Sequence, residues 1–254
     1  MNTQTPIARV LPFLGVLACL SGHSASATPS STFWTPMSPD LQSVGVLHLG
    51  VDNYFTVFRK ADDGAASFPT DLGLTLAVAS FGKFQLELGV DVLESSDDPV
   101  YLNAKIGTVE GALFQGAPAL QLGIANAGTD RRHTDYDIVY FVVGKTFASV
   151  GRFSIAPYVG NSDLLRDGQG EKEDSGVMVA FDRGFRPVAD ASGSTFNRWV
   201  LAADYASGDN ALGGGGVGLA YFFTRDVSLL TGPVWFNDES VNGKWKWTVQ
   251  LDIN

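Results

Sequence analysis

Lys244-Trp245-Lys246-Trp247-Thr248-Val249-Gln250-Leu251-Asp252-Ile253-Asn254 decides the fold. Successive side chains of a strand point to opposite faces, so Trp245, Trp247, Val249, Leu251 and Ile253 form one apolar face, while Lys246, Thr248, Gln250 and Asp252 form a wet one. A helix would scatter the same residues around its axis. Phe84, Leu86, Leu88, Val90 and Val92 alternate in the same way with Gln85, Glu87, Gly89 and Asp91. Weaker alternation occupies about 44–57, 71–80, 100–107, 119–127, 136–147, 152–160, 176–183, 197–206, 216–223 and 227–236, which makes roughly a dozen strands.

Composition agrees with an all-β chain and narrows its partners. The 254 residues include 29 Gly and a single Cys, so no disulfide scaffold is available. A formal charge of −10 argues against a phosphate-tracking surface, which needs clustered cations, so no nucleic-acid partner is expected. No run of 18 apolar residues offers a membrane-spanning helix.

The first residues read as an export address. Arg9 precedes an apolar run from Val10 to Leu20, and Ala25-Ser26-Ala27 suits a signal peptidase, so residues 1–27 are predicted to be a cleaved signal peptide. Val16-Leu17-Ala18-Cys19 leaves lipidation at Cys19 as the second processing route. Residues 28–43 are expected to be a periplasmic lead-in, and 44–254 the barrel domain.

Connections discriminate further. Phe81-Gly82, Ala148-Ser149-Val150-Gly151 and Thr224-Arg225-Asp226 are tight, whereas 58–70, 94–99, 128–135, 161–175, 207–215 and 237–243 are longer and polar. If the first strand begins near Val44, the tight turns follow even strands and the long loops follow odd ones. Segments 108–118 and 184–196 break this contrast, being long on the short-turn side. Aromatics near the strand ends read as interfacial girdles: Phe81, Phe84, Phe147, Phe153, Phe222 and Phe223 at the turn side, with Tyr54, Phe55, Tyr136, Trp235, Phe236 and Trp245 opposite.

With these features the sequence, over about residues 40–254, resembles the bacterial outer-membrane β-barrel proteins of porin-like type. It is also similar to a branch that opens with Phe33-Trp34-Thr35-Pro36 and carries Gly50-Val51-Asp52-Asn53-Tyr54-Phe55. The resemblance implies an antiparallel up-and-down transmembrane barrel of about 12 strands in the bacterial outer membrane. Its expected partners are membrane lipid, lipopolysaccharide, the barrel-assembly machinery and small solutes. The terminal aromatic that such barrels carry is replaced here by Ile253-Asn254. A soluble exported sandwich or lipocalin-like barrel alternates too, with its apolar face turned inward.

If the apolar parity faces lipid, the lumen receives charges of both signs. The selectivity candidates are His48, Asp52, Glu87, Asp91, Lys105, Lys145, Arg152, Asp182, Arg198, Asp204, Lys246 and Asp252. Two functions follow: a narrow channel for passive passage of small solutes, or a closed structural or interaction barrel whose charges pair across the lumen and whose acidic loops face outward. Those loops include Asp62-Asp63, Asp97-Asp98, Glu171, Glu173, Asp174 and Asp238-Glu239, which could share divalent cations with lipid phosphates.

No catalytic residue, metal site or cofactor is predicted. The chain lacks a G-x-S-x-G elbow and an H-E-x-x-H pair. His48 and Asp52, like Glu87 and Asp91, stand four apart on one strand face, about 13 Å, too far for a direct pair. His133 reads as a solvated loop residue, and Gly213, Gly215 and Gly218 as a flexible approach to a strand rather than a nucleotide loop.

Overall fold

The computed structural model describes residues 32–58, 60 and 66–254. The signal peptide, Cys19 and the Asp62-Asp63 cluster lie outside the described residues. Twelve strands follow in chain order: β1 (Leu47–Phe55), β2 (Thr70–Phe81), β3 (Phe84–Glu94), β4 (Val100–Thr108), β5 (Ala119–Gly128), β6 (Ile138–Phe147), β7 (Gly151–Val159), β8 (Ser175–Ala189), β9 (Thr195–Ala206), β10 (Gly214–Phe222), β11 (Val227–Phe236) and β12 (Lys246–Ile253). Each pairs antiparallel with its sequence neighbours, and β12 closes on β1 through Leu49 opposite Ile253 to Phe55 opposite Trp247. Every strand therefore has two partners, and no edge is left.

Alternation sets the two faces. Leu47, Leu102 and Leu122 are about half exposed outside, at 48%, 56% and 52%, in a band continued by Leu74, Ile106, Phe141, Ile155 and Val179. The opposite parity carries buried Glu87, Gln121, Asp204, Lys246, Gln250 and Asp252. The inside-out pattern separates this barrel from the lipocalin-like alternative, whose apolar face would be interior.

More than half of the predicted aromatic girdle forms, with Phe81, Phe84, Phe147 and Phe153 exposed at the turn side. Phe55, Phe223 and Trp235 are exposed, but their neighbours Phe222 and Phe236 are buried, and the hydroxyl of Tyr54 donates to the backbone carbonyl of Phe33 within the lumen (2.8 Å). Adjacent residues on a strand cannot share a face, so one member of each aromatic pair must turn inward.

The anomalous segment 184–196 resolves into strand. β8 runs on to Ala189, and a turn at 190–194 is tied by the Asp190 carboxylate, which accepts from Ser192 N (2.8 Å) and Ser194 N (3.0 Å). Gly184 and Pro187 look like breakers in the sequence, yet both lie in register, opposite Val200 and Asn197. Segment 109–118 is a true excursion. Elsewhere on that side the turns are short: Gly82 takes a left-handed φ of 64° in the two-residue link between β2 and β3, a conformation that only glycine adopts at no steric cost. On the long-loop side a single turn of helix, α1 (Glu239–Asn242), is capped by Asp238, whose carboxylate accepts from Ser240 N (2.7 Å).

The largest departure concerns the segment before β1. Expected as a periplasmic lead-in, it instead crosses the lumen: Phe33 and Met37 are completely buried, and Leu41 is 4% exposed. Gly45 N donates to Ala77 O as the chain turns into β1. The physical reason is the inner wall of β5–β11, which is largely apolar and needs something to cover it. Phe33 packs with Ala202, Ala220, Phe222, Leu230 and Val234. Met37 packs with Ala125, Ile138, Tyr140, Val142, Ala156 and Met178.

Candidate functional site: a plugged lumen with an acidic cavity

The plug is held at both ends by charged side chains projecting from the wall. At the loop side, Asp204 of β9 accepts three consecutive backbone N–H groups, from Phe33 (2.8 Å), Trp34 (3.0 Å) and Thr35 (2.5 Å). Gln250 Nε2 donates to the carbonyl of Phe33 (2.9 Å), and Trp34 Nε1 donates to Leu212 O (2.8 Å). Such a carboxylate satisfies donors that would otherwise be buried without partners. At the turn side, Arg152 of β7 grips Asp40 through Nη1 (2.5 Å) and Nη2 (2.8 Å), and binds Asp182 through Nε (2.7 Å). Lys105 Nζ donates to Asp40 O (2.6 Å) and pairs with Glu87 (3.2 Å), which also accepts from Gln42 N.

The wall is shaped to receive this segment. A Cβ built on Gly216 would lie 2.4 Å from Phe33 Cβ, and one on Gly144 would lie 2.4 Å from Pro39 Cβ. Neither position tolerates a side chain while the plug is in place.

Beside the plug, along β1–β5, a cavity of about 560 Å³ remains. Its lining includes Asp52, Asp71, Asp91, Tyr101 and Tyr136, with Glu87, Lys105, His48 and Asp252 toward the turn side. His48 Nε2 lies 3.3 Å from Asp252, and its Nδ1 lies 2.6 Å from Asn254 Oδ1. His48 thus meets an acid across the β1–β12 closure, although Asp52 shares its own strand. Asp91 accepts from Asn103 Nδ2 (2.6 Å). Asp52 and Asp71 face one another in the β1–β2 register.

The remaining candidates lie elsewhere. Lys246 Nζ donates to Lys244 O (2.9 Å) and sits 4.9 Å from the centre of the Phe68 ring. Lys145 is at the turn-side rim, pairing with Glu110 of the 109–118 excursion (2.8 Å). Partial burial pushes the Glu110 carboxyl up, but hydrogen bonds from Lys145 and Thr146 outweigh it and hold the group below its ordinary 4.5. Arg198 donates to the carbonyls of Phe222 (2.7 Å) and Phe223 (2.9 Å). Neither Lys145 nor Arg198 lines the cavity. In the 128–137 loop the His133 ring lies 2.9 Å from exposed Asp130 and by this bond lowers its pKa. Among the described residues no group of three or more acidic, histidine or cysteine side chains is placed to hold a metal ion.

Asp71 and the plug are the functional features absent from the sequence reading. Asp71 starts the β2 alternation and carries the same signal as Asp91. The plug had a signal too: Gly144, Ala156, Ala202, Ala206, Gly216 and Ala220 put small, uncharged residues on the inner parity of β6–β10, where a segment can pack.

No protein-family model and no curated protein matches the chain. Among solved structures it is similar to a mutant of Rh. blastica porin at 13% identity, with a TM-score of 0.40 over 72% of this chain and 55% of the porin. The match thus spans about half of that porin's length. It is also similar to NanC porin at 10% identity, with a TM-score of 0.46 over 81% of this chain and 98% of that one. A third similarity is to CdiB from Acinetobacter baumannii, at 10% identity and a TM-score of 0.30, covering 72% and 41%. The strand pairing itself defines the class: a closed, twelve-stranded antiparallel barrel, apolar outside and polar along part of its interior.

Proposed function

We propose that this chain is an outer-membrane β-barrel, exported by a signal peptide over residues 1–27, in which residues 32–46 occlude the lumen at rest. Small solutes are left a narrow path along the acidic β1–β5 cavity. The exposed band of leucine, valine and phenylalanine supports a lipid-facing exterior, and complete strand closure meets the demand of hydrocarbon that no backbone group stay unpaired. Lipid and lipopolysaccharide would then contact the band and the long loops, and barrel-assembly machinery would insert it.

One observation carries the occlusion: the Asp204 carboxylate clamps three successive plug amides across the lumen. Free passage through a barrel of this size is incompatible with a segment so held. The unfilled cavity favours a restricted path over complete closure.

Planar-bilayer recording beside boiled and unboiled gel mobility tests the reading. The native protein is expected to shift on heating and to show small conductance, and Asp204→Ala to raise it several-fold. A large steady conductance from the native chain would overturn the plug. Solubility without detergent, with no mobility shift, would overturn the membrane location. Silence from both forms of a heat-modifiable protein would leave a structural or interaction barrel.

A further inference from the structure

We propose that the cavity beside the plug is a binding site for a small organic cation, an alkyl diamine or guanidinium compound, held by Asp52, Asp71 and Asp91. This names a solute class for the path above and rests on that reading for its role in passage, though not for binding itself.

Three observations converge. First, none of the three carboxylates forms an ion pair, and the nearest base, His48, is engaged by Asp252 and reaches Asp52 and Asp91 only at a distance. Glu87, Asp40 and Asp252 each have a basic neighbour, in Lys105, Arg152 and His48. Asp52 and Asp71 make no ion pair and no hydrogen bond among the described residues. Asp91 has only the Asn103 amide. Second, Asp52 lines the cavity with most of its surface covered, while Oδ1 of Asp71 is closed to solvent and unpartnered. Adjacent carboxylates sealed in a barrel repel, and burial without a counter-charge costs free energy, so a cation from solution is what the site lacks. Third, the space is right for an organic ligand. A cavity of about 560 Å³ falls within the usual range for small-molecule pockets.

Geometry separates this ligand from a bare metal ion. Asp52 and Asp71 are direct cross-strand neighbours, whereas Asp91 lies diagonally, opposite Gly73. Their Cβ atoms are spaced by about 5 and 7 Å, which spreads the charge along the wall rather than converging it on one point. The metal-site geometry is missing from the described residues. Tyr101 and Tyr136 also line the cavity and present ring surface to an alkyl chain or a cation. Gly50, Gly73 and Gly89 keep the inner wall low at this level: a Cβ on Gly73 would come 3.0 Å from Asp91 Oδ1. The glycines hold open the space that side chains fill elsewhere.

The test uses the protein folded in zwitterionic detergent, with isothermal titration of putrescine, butanediol and magnesium chloride. Putrescine is expected to bind saturably and butanediol not at all. Asp52→Asn with Asp71→Asn should weaken putrescine by about tenfold or more, as loss of buried ion pairs requires. Removing repelling charges should leave the fold intact, and the heat-modifiable gel shift checks this; Asp91→Asn is the second variant. Unchanged putrescine binding in both variants would overturn the site. So would the absence of binding by a correctly folded native protein, or magnesium binding at the same carboxylates where putrescine fails. Conductance does not enter this readout, so a silent barrel that binds putrescine refutes the path and keeps the site.

Discussion

The β5–β11 half of the lumen and the β1–β4 half are made from the same alternating strands, yet one is packed and the other hollow. In the packed half the inner parity carries Ile138, Tyr140, Val142, Met178, Leu230 and Val234, against which Phe33 and Met37 are buried. In the hollow half it carries Gly50, Asp52, Asp71, Gly73, Gly89 and Asp91. Backbone hydrogen bonding fixes the wall in both. What differs is the inward side chain, and this decides whether a lumen becomes a core or a site. Carboxylates play opposite parts in the two halves: Asp204 stabilises by meeting three donors, whereas Asp52 and Asp71 meet none.

The sharpest way to break this contrast is at the clamp. Asp204→Ala leaves the amides of Phe33, Trp34 and Thr35 buried without acceptors, and is expected to cost about 3–6 kcal/mol. Hydrogen exchange over residues 33–42 should accelerate while the strands stay protected; equal protection in the variant would mean that apolar packing alone holds the plug. Next in size, Phe33→Ala empties a completely buried ring site and should cost about 3–4 kcal/mol, read as a lower melting temperature in detergent. An unchanged melting point would show that the packed half is not a core.

Much of this architecture was legible in the alternating residues. The strand at 244–254 and the one at 84–92 carry an unbroken two-residue period, and their parity sets which side chains turn inward. The plug was not legible, because alternation assigns a face to a residue but says nothing about what covers that face. Met37 and Ile138 are a hundred residues apart, and their contact exists only once the barrel has closed. Segment 184–196 misled in the opposite direction: it reads as a long connection, yet Gly184 and Pro187 pair with β9, beyond the last β7 partner at Asp182, with Pro187 near the free end of the hairpin. Asp71 was legible by the same rule, since Leu72, Leu74 and Leu76 alternate with Asp71, Gly73 and Thr75, although it stands at the very start of its strand.

In the hollow half the sign of the effect should reverse. Asp71→Asn removes one of two like charges held directly opposite, and is expected to stabilise the empty protein by up to about 1 kcal/mol. A loss of heat stability in the absence of added cation would mean that Asp71 is already compensated, and the contrast between the halves would fail. The smallest effect belongs outside the lumen, at the 109–118 excursion. Glu110 has its carboxyl held below the ordinary value by Lys145 and Thr146, so the tether is complete above the unfolded value of 4.5 and is lost as pH falls through the lower folded one. Both partners are partly exposed at the rim, so screening keeps the contribution small. Proteolysis within 109–118 should therefore quicken between pH 5 and pH 3 in the native chain but show little change with pH in Glu110→Gln, where the tether is already weakened at neutral pH. The plug and the cavity, tied by partners elsewhere, should not respond to this variant, which is what makes the rim an independent element.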